Sequence, residues 1–131
     1  MKKDRLLNPE IISAVASLGH TEYLCIADCG LPVPQGVKVV DISLVGGNPR
    51  FLDVVDAVAE ELVIESTILA SEIQEKNPTL LEQMQQRFGS LPCEMVPHET
   101  FKELTKKAKC IIRTGENTSF ANVIFIGGVN F

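Results

Sequence analysis

Two residues with neutral-pH proton chemistry bracket one apolar segment near the start of the chain: His20, in Leu18-Gly19-His20-Thr21, and Asp28, in Ala27-Asp28-Cys29-Gly30-Leu31-Pro32-Val33-Pro34. Tyr23 to Ala27 between them reads as a buried strand, which puts Asp28 where that strand ends, and strand ends are where open α/β sheets bind ligands. Histidine is the side chain that titrates, unperturbed, between pH 5 and 8, and a nearby carboxylate can hold its ring and its proton. Such a pair can act as acid and base at neutral pH. Local sequence leaves plainer readings open for both. A histidine just past a helix-ending glycine is commonly a cap or a surface residue, and Asp28 is well placed to bond the backbone N–H groups of the turn that follows.

A second group lies late in the chain. His98 and Lys102 are four apart at the start of a helix opened by Pro97, so both project from one face, although in isolation they read as a helix-start residue and a solvated charge. Asn122, where the last strand begins, carries an amide that both donates and accepts. Phe120 lies two residues before it. Cys29, beside Asp28, is a candidate nucleophile. The four cysteines Cys25, Cys29, Cys93 and Cys110 contain no C-x-x-C pair and mostly lie in apolar runs, which favours buried thiols over metal ligands.

The elements that must position these residues follow from pattern. Asn8-Pro9-Glu10 is a capped helix start with Ile11, Ile12, Val15 and Leu18 as its apolar stripe and Gly19 as its stop. After the Tyr23 to Ala27 strand, the two prolines of Gly30 to Pro34 cannot donate to a sheet, so a rigid loop is expected. A second strand is expected over Val37 to Leu44, a helix from about Arg50 to Leu62, a third strand over Ser66 to Ala70, and a helix from Asn77-Pro78 to Gly89. Cys93 to Val96 reads as a fourth strand, Pro97 to about Lys109 as a helix with Lys106, Lys107 and Lys109 on its solvated side, and Cys110 to Arg113 and Ala121 to Ile126 as the last strands. Strands alternating with helices of this length predict one three-layer α/β/α domain over residues 1–131, on a mainly parallel or mixed sheet.

Composition narrows the function classes. The chain has 131 residues, with 17 acidic against 12 basic side chains and a net charge of −5, so it offers no basic field for nucleic acid. Neither G-x-x-x-x-G-K-[ST] nor G-x-G-x-x-G occurs, which disfavours a kinase or a nucleotide-binding protein. The start of the chain lacks the pattern of a signal peptide and no stretch approaches a membrane span, so the cytoplasm is the expected location. One Tyr and no Trp leave few stacking platforms, so any site for a small polar ligand here must rely on hydrogen bonds.

LGHT, IADCGLPVP, PHETFK at 97–102 and IRTGENTSFAN at 112–122, in this order and spacing, resemble the four signature blocks of the bacterial D-ribose pyranase family, a branch of the ribose and fucose mutarotases. The resemblance runs from Lys2 to Phe131. It implies an isomerase that needs no cofactor and interconverts the pyranose and furanose forms of D-ribose by acid/base ring opening and reclosure. It also implies His20 as the proton donor and Asp28, His98, Lys102, Phe120 and Asn122 as substrate contacts, in a ring-shaped homo-oligomer, a decamer, whose site lies near a subunit boundary. The apolar end Ile124, Phe125, Ile126, Val129 and Phe131 fits either a subunit contact or an ordinary last core strand. At two positions the chain departs from the family: Phe120 stands where ribose pyranases usually have tyrosine, and Cys29 where they have a small residue. Three alternatives stay open: a mutarotase for another aldose such as fucose, a non-catalytic sugar-binding protein, and a thiol enzyme built on Cys29. Gly30 to Pro34 after the aspartate favours the ribose branch over the fucose branch.

Overall fold

The computed structural model describes residues 1–131. Strands β1 (Tyr23–Ala27), β2 (Val39–Asp41), β3 (Ile64–Ala70), β4 (Cys93–Val96), β5 (Ala108–Arg113) and β6 (Val123–Gly127) form a six-stranded sheet in the order β2-β5-β1-β6-β3-β4. β1 lies inside it because it is apolar on both faces, as a strand covered from two sides must be: Leu24, Cys25 and Ile26 are fully buried. The pairs β1·β5, β2·β5 and β3·β4 are parallel, while β6 runs antiparallel to both of its neighbours, β1 and β3. The sheet is therefore mixed. The reversal has a local cause, since the nine residues from Thr114 to Asn122 are too few for the crossover that a parallel return needs, about a dozen or more.

Helices α1 (Pro9–Ser17), α2 (Phe51–Ala59), α3 (Ile73–Lys76), α4 (Pro78–Phe88) and α5 (His98–Leu104) complete the fold. Alternate side chains of the strands divide the core in two. Leu24, Ile26, Ile112 and Phe125 pack with Ile11, Val55 and Met84 on the side of α1, α2 and α4, whereas Cys25, Ile68, Ile111 and Ile124 pack with Phe101 of α5. The three layers expected from sequence are present.

Several boundaries differ from expectation, each for a visible reason. The α1 start is as read, with Asn8 Oδ1 accepting from the Glu10 and Ile11 N–H groups at 3.0 Å each and Pro9 in the first turn. Its end comes earlier. Leu18 is already extended, and the left-handed residue is Thr21, at φ 68°, rather than Gly19. The Gly19 N–H is taken by Glu22 Oε2 at 2.7 Å and the Thr21 N–H by the Gly127 carbonyl at 2.9 Å, so this loop is tied to β6 instead of capping the helix. β2 keeps three of its expected residues, because Val45 turns back to pair with Asn48. The short helix α3 occupies residues just past the expected third strand, where no helix was expected.

Asn77 does not cap α4. Its amide donates to Thr118 Oγ1 at 3.1 Å and to the Ser119 carbonyl at 2.9 Å. α5 stops at Leu104, a 3-10 turn covers Thr105–Lys107, and β5 begins at Ala108, so Lys109 lies on a strand, where it meets Glu22 at 3.2 Å. Cys25 and Cys110 are buried, and burial pushes both thiols up. Cys29 and Cys93 are exposed; for Cys93 the cause is its place on the edge strand β4. At the C-terminus Ile124 and Phe125 are core, while Val129 and Phe131 face solvent, so the apolar end divides between the two readings given for it.

Candidate functional site

The last residues of the parallel strands β1, β3, β4 and β5 lie at one end of the sheet, and the reversal of β6 brings its first residues to the same end. This is why Asp28, just past β1, meets Asn122, just before β6, across 94 positions of sequence. The Asp28 N–H donates to Asn122 Oδ1 at 2.8 Å, and Asn122 Nδ2 donates to Asp28 Oδ2 at 3.0 Å. Asp28 Oδ1 accepts the Gly30 N–H at 2.9 Å, so the aspartate also holds the turn that follows it. Asn122 is 1% exposed, and both ends of its amide are used. Beneath the pair, buried Thr114 donates from Oγ1 to the Ala27 carbonyl at 2.8 Å and accepts the Glu116 N–H at 3.1 Å. The Glu116 carbonyl in turn accepts the Cys29 N–H at 2.9 Å.

His98 opens α5 at the same end. Both oxygens of Glu72, which follows β3, accept its backbone N–H at 3.0 Å. Burial pushes the Glu72 carboxyl up, but the hydrogen bonds from the His98 N–H, from its own N–H and from Ser71, together with the nearby His98 charge, outweigh that and hold it below the usual carboxylate range. The His98 ring stacks on Phe101, with centroids 6.3 Å apart and planes 11° apart, and meets Phe120 nearly edge-on at 5.0 Å and 80°. Its Nδ1 is buried and unpartnered. Such an atom costs free energy while it stays unbonded. Lys102, one turn along, is tied to Glu99 at 2.7 Å, and its side chain stays about one-third exposed.

His20 lies at the other end of the sheet. The five residues of β1, roughly 17 Å of extended chain at ~3.3 Å each, separate its loop from Asp28. Within one chain the two do not form the pair expected from sequence: Asp28 is engaged by Asn122 and Gly30, and the carboxylate beside the imidazole is that of Glu65, on β3, with Oε1 3.1 Å from His20 Nε2. The sheet itself imposes this, since a residue before a strand and one after it must emerge at opposite ends. A groove of about 640 Å³ runs beside His20, between Val15, Leu18, Leu62, Val63 and the exposed Phe131.

The two non-glycine residues with left-handed backbone are Thr21, at φ 68°, and Phe120, at φ 55°. Neither a β-branched nor an aromatic residue adopts that conformation without strain, of order 1–3 kcal/mol, and such strain gathers at functional sites. One strained residue adjoins His20; the other is the ring against His98.

The structure thus brings Asp28, His98, Phe120 and Asn122 to one end, with Lys102 one turn from His98, and leaves His20 apart. Sequence reasoning missed Glu65, Glu72 and Thr114. The one available signal for Glu65 was a charged residue next to a strand otherwise read as buried, and nothing local marked Glu72 or Thr114, whose partners are 26 and 87 positions away.

Comparison with known proteins adds three findings. A model of the RbsD / FucU transport protein family matches residues 1–130. The chain is 53% identical, over its full length and 96% of the relative's, to a D-ribose pyranase of Geobacillus kaustophilus, and 50% identical over the full length of both chains to one of Bacillus cereus. Its backbone is similar to that of Bacillus subtilis RbsD complexed with D-ribose, with a TM-score of 0.97, 45% identity and complete coverage of both chains. The fucose mutarotase of Streptococcus pneumoniae in complex with L-fucose shares the fold at a TM-score of 0.81 and 20% identity, covering 95% of this chain and 94% of that one.

Proposed function

The chain belongs to the RbsD / FucU family, and from that premise we propose that it is a D-ribose pyranase, an isomerase that opens one ring form of D-ribose and recloses it as another. The reaction asks for two proton transfers and nothing redox. Protonation of the ring oxygen and removal of the anomeric hydroxyl proton break the C1–O5 bond and give the open aldehyde; closure through O4 instead of O5 gives the furanose. His20 supplies the proton to the ring oxygen. Asp28 or a water takes the anomeric proton. Asn122, His98, Lys102 and Phe120 hold the sugar, with the free Nδ1 of His98 and the second lone pairs of Asp28 directed at hydroxyl groups. The single observation that carries the sugar-binding part is that buried, unpartnered His98 nitrogen, at the same end of the sheet as the Asp28–Asn122 pair.

The separation of His20 from that cluster supports a site completed between copies, in which His20 of one protomer approaches the sugar held by the next. A contact of this kind is head-to-tail, and a head-to-tail contact whose rotation closes makes a ring. We take the assembly to be a decameric ring. The exposed Val63, Val129 and Phe131 around the groove beside His20 are apolar surface that such a contact would cover. No helix is long and apolar enough to cross a membrane, and the cytoplasm is the compartment proposed.

The deciding experiment is NMR magnetisation exchange on equilibrated D-ribose with catalytic amounts of protein, which resolves every pyranose and furanose anomer. Faster pyranose–furanose exchange is the expected result. Acceleration with L-fucose or another aldose and none with ribose would move the assignment to a sister mutarotase, for which Phe120 in place of tyrosine is the favouring observation. No acceleration with any sugar would leave a sugar-binding protein.

A further inference from the structure

The carboxylate of Glu65 has no part in the scheme above, yet it lies against the one group that scheme cannot do without. Its Oε1 is 3.1 Å from His20 Nε2, and His20 Nδ1 makes no hydrogen bond within the chain. An ionised carboxylate only accepts hydrogen bonds, so beside it the Nε2 position carries the proton and the exchangeable position is Nδ1. The backbone under the imidazole is fixed independently. Glu22 Oε2 takes the Gly19 N–H at 2.7 Å and Lys109 at 3.2 Å, the Thr21 N–H donates to the Gly127 carbonyl at 2.9 Å, and Thr21 is held left-handed. With the loop clamped by Glu22 and β6, the remaining freedom is rotation of the ring, and Glu65 is what restrains it.

We propose that Glu65 is the positioning residue of the proton donor: it binds the Nε2 proton of His20, and Nδ1 is the nitrogen that exchanges a proton with the sugar. The assignment rests on the ribose reaction proposed above. The donor form is the imidazolium, with Nε2–H held by Glu65 and a second proton on Nδ1. In the opening step the Nδ1–H bond breaks as the O5–H bond forms, the C1–O5 bond cleaves, and the anomeric O1–H proton leaves to the base as C1=O1 forms, leaving the neutral Nε2–H imidazole. On closure the attacking hydroxyl oxygen bonds C1 and returns its proton to Nδ1, while the base gives its proton back to O1 as C1=O1 becomes the anomeric hydroxyl. Glu65 keeps hold of the Nε2 proton throughout, so the imidazole is ready for the next turnover without reorienting. Because the pair is about half exposed, it contributes little to stability, which leaves orientation as its main effect.

The test compares Glu65→Ala, Glu65→Gln, His20→Ala and the Glu65→Ala/His20→Ala double variant in the ribose exchange assay, with kcat and KM separated and thermal midpoints recorded. Expected is a 10- to 100-fold fall in kcat for both Glu65 variants at a KM within about twofold of the parent, with no further loss from Glu65→Ala once His20 is gone. Glu65→Gln keeps the size of the side chain, so its loss is one of charge and not of packing, and it carries the test should Glu65→Ala fold poorly. Unchanged kcat in both, a KM effect without a kcat effect, or an equal loss in the His20→Ala background would overturn the assignment. Long-range proton–nitrogen NMR gives a readout independent of turnover: the chain has two histidines, so His20 is assigned by its loss in His20→Ala. Where the ring is neutral, the Nε2–H tautomer should dominate in the parent protein and give way to a mixture in Glu65→Ala; a mixture of neutral tautomers in the parent would overturn the proposal. Silence of the parent protein on ribose would instead refute the reaction, with the NMR result still standing.

Discussion

Asn122 and Asp28 hold each other twice, the amide oxygen on the Asp28 N–H at 2.8 Å and the amide nitrogen on the Asp28 carboxylate at 3.0 Å. One donor and one lone pair of the amide are spent on Asp28, so it aims Asp28 and keeps one of each for the sugar. In Asn122→Ala the part-buried Asp28 N–H loses its acceptor and the carboxylate is free to swing. Leaving one buried donor unpaired costs about 1–3 kcal/mol. The expected outcome is a lower thermal midpoint together with a raised KM for ribose, read by calorimetry and by the exchange assay. A raised KM at unchanged stability would mean that Asn122 serves the sugar directly and does little for Asp28.

Phe120 meets the edge of His98 at 5.0 Å and is held at φ 55°, so a hydroxyl added at its para position enters the same end of the sheet without requiring a new backbone. One extra neutral hydrogen bond is worth about 0.5–1.5 kcal/mol net, equivalent to as much as a tenfold gain in affinity. Phe120→Tyr should therefore lower the KM for ribose by up to about tenfold with kcat little changed. If KM for ribose stays put while that for another aldose falls, the position selects among sugars instead of strengthening the grip on ribose.

The elements near this end were legible because their signals are local. Asn8-Pro9 gave the α1 start, the apolar run Tyr23 to Ala27 gave the central strand to the residue, and Pro78 and Phe88 bound α4 within the span expected. What was not legible is relational. That β6 runs antiparallel, and so delivers Asn122 to Asp28, depends on a connection length and on neighbours that no window of sequence contains. The carboxylate partner of His20 was sought in Asp28, eight positions on, but a strand between them carries the two apart, and Glu65 arrives from β3 because β6 lies between β1 and β3. Asn77 illustrates the same limit: its type and its proline predicted a cap, and the fold uses the amide to hold Thr118 and Ser119, next to Phe120.

Glu72 makes the anchoring of His98 sensitive to acid. Its carboxyl is held below the usual range in the folded protein, burial notwithstanding, so the folded state favours the ionised form. A depressed folded value means that the contribution is fully present above the unfolded carboxylate pKa of about 4.3 and is lost as pH falls through the lower folded value. Glu72→Gln removes that ionisation. The thermal midpoint of the variant should lie below that of the parent at pH 7, and the gap should close as pH is taken from about 5 to 3. A gap that stays constant over that interval would show that the carboxylate contributes through size and neutral hydrogen bonding alone.

A site shared between copies makes a prediction that no single-chain site makes. His20→Ala protein lacks the donor but keeps an intact Asp28 end; Asp28→Ala protein keeps the donor and lacks the acceptor end. His20→Ala alone should be inactive and Asp28→Ala alone strongly impaired. In rings reassembled from an equal mixture, a working site needs its His20 from a copy altered at Asp28 and its Asp28 from a copy altered at His20. Random assembly meets both conditions at about a quarter of the boundaries. Activity should therefore return to about a quarter of the parent value after unfolding and joint refolding, and should stay near zero when the two preformed assemblies are merely mixed without subunit exchange. If joint refolding restores nothing, although rings form and each variant is folded, then His20 and Asp28 act within one chain, and the roughly 17 Å of strand between them must be bridged by a rearrangement of the loop around Thr21.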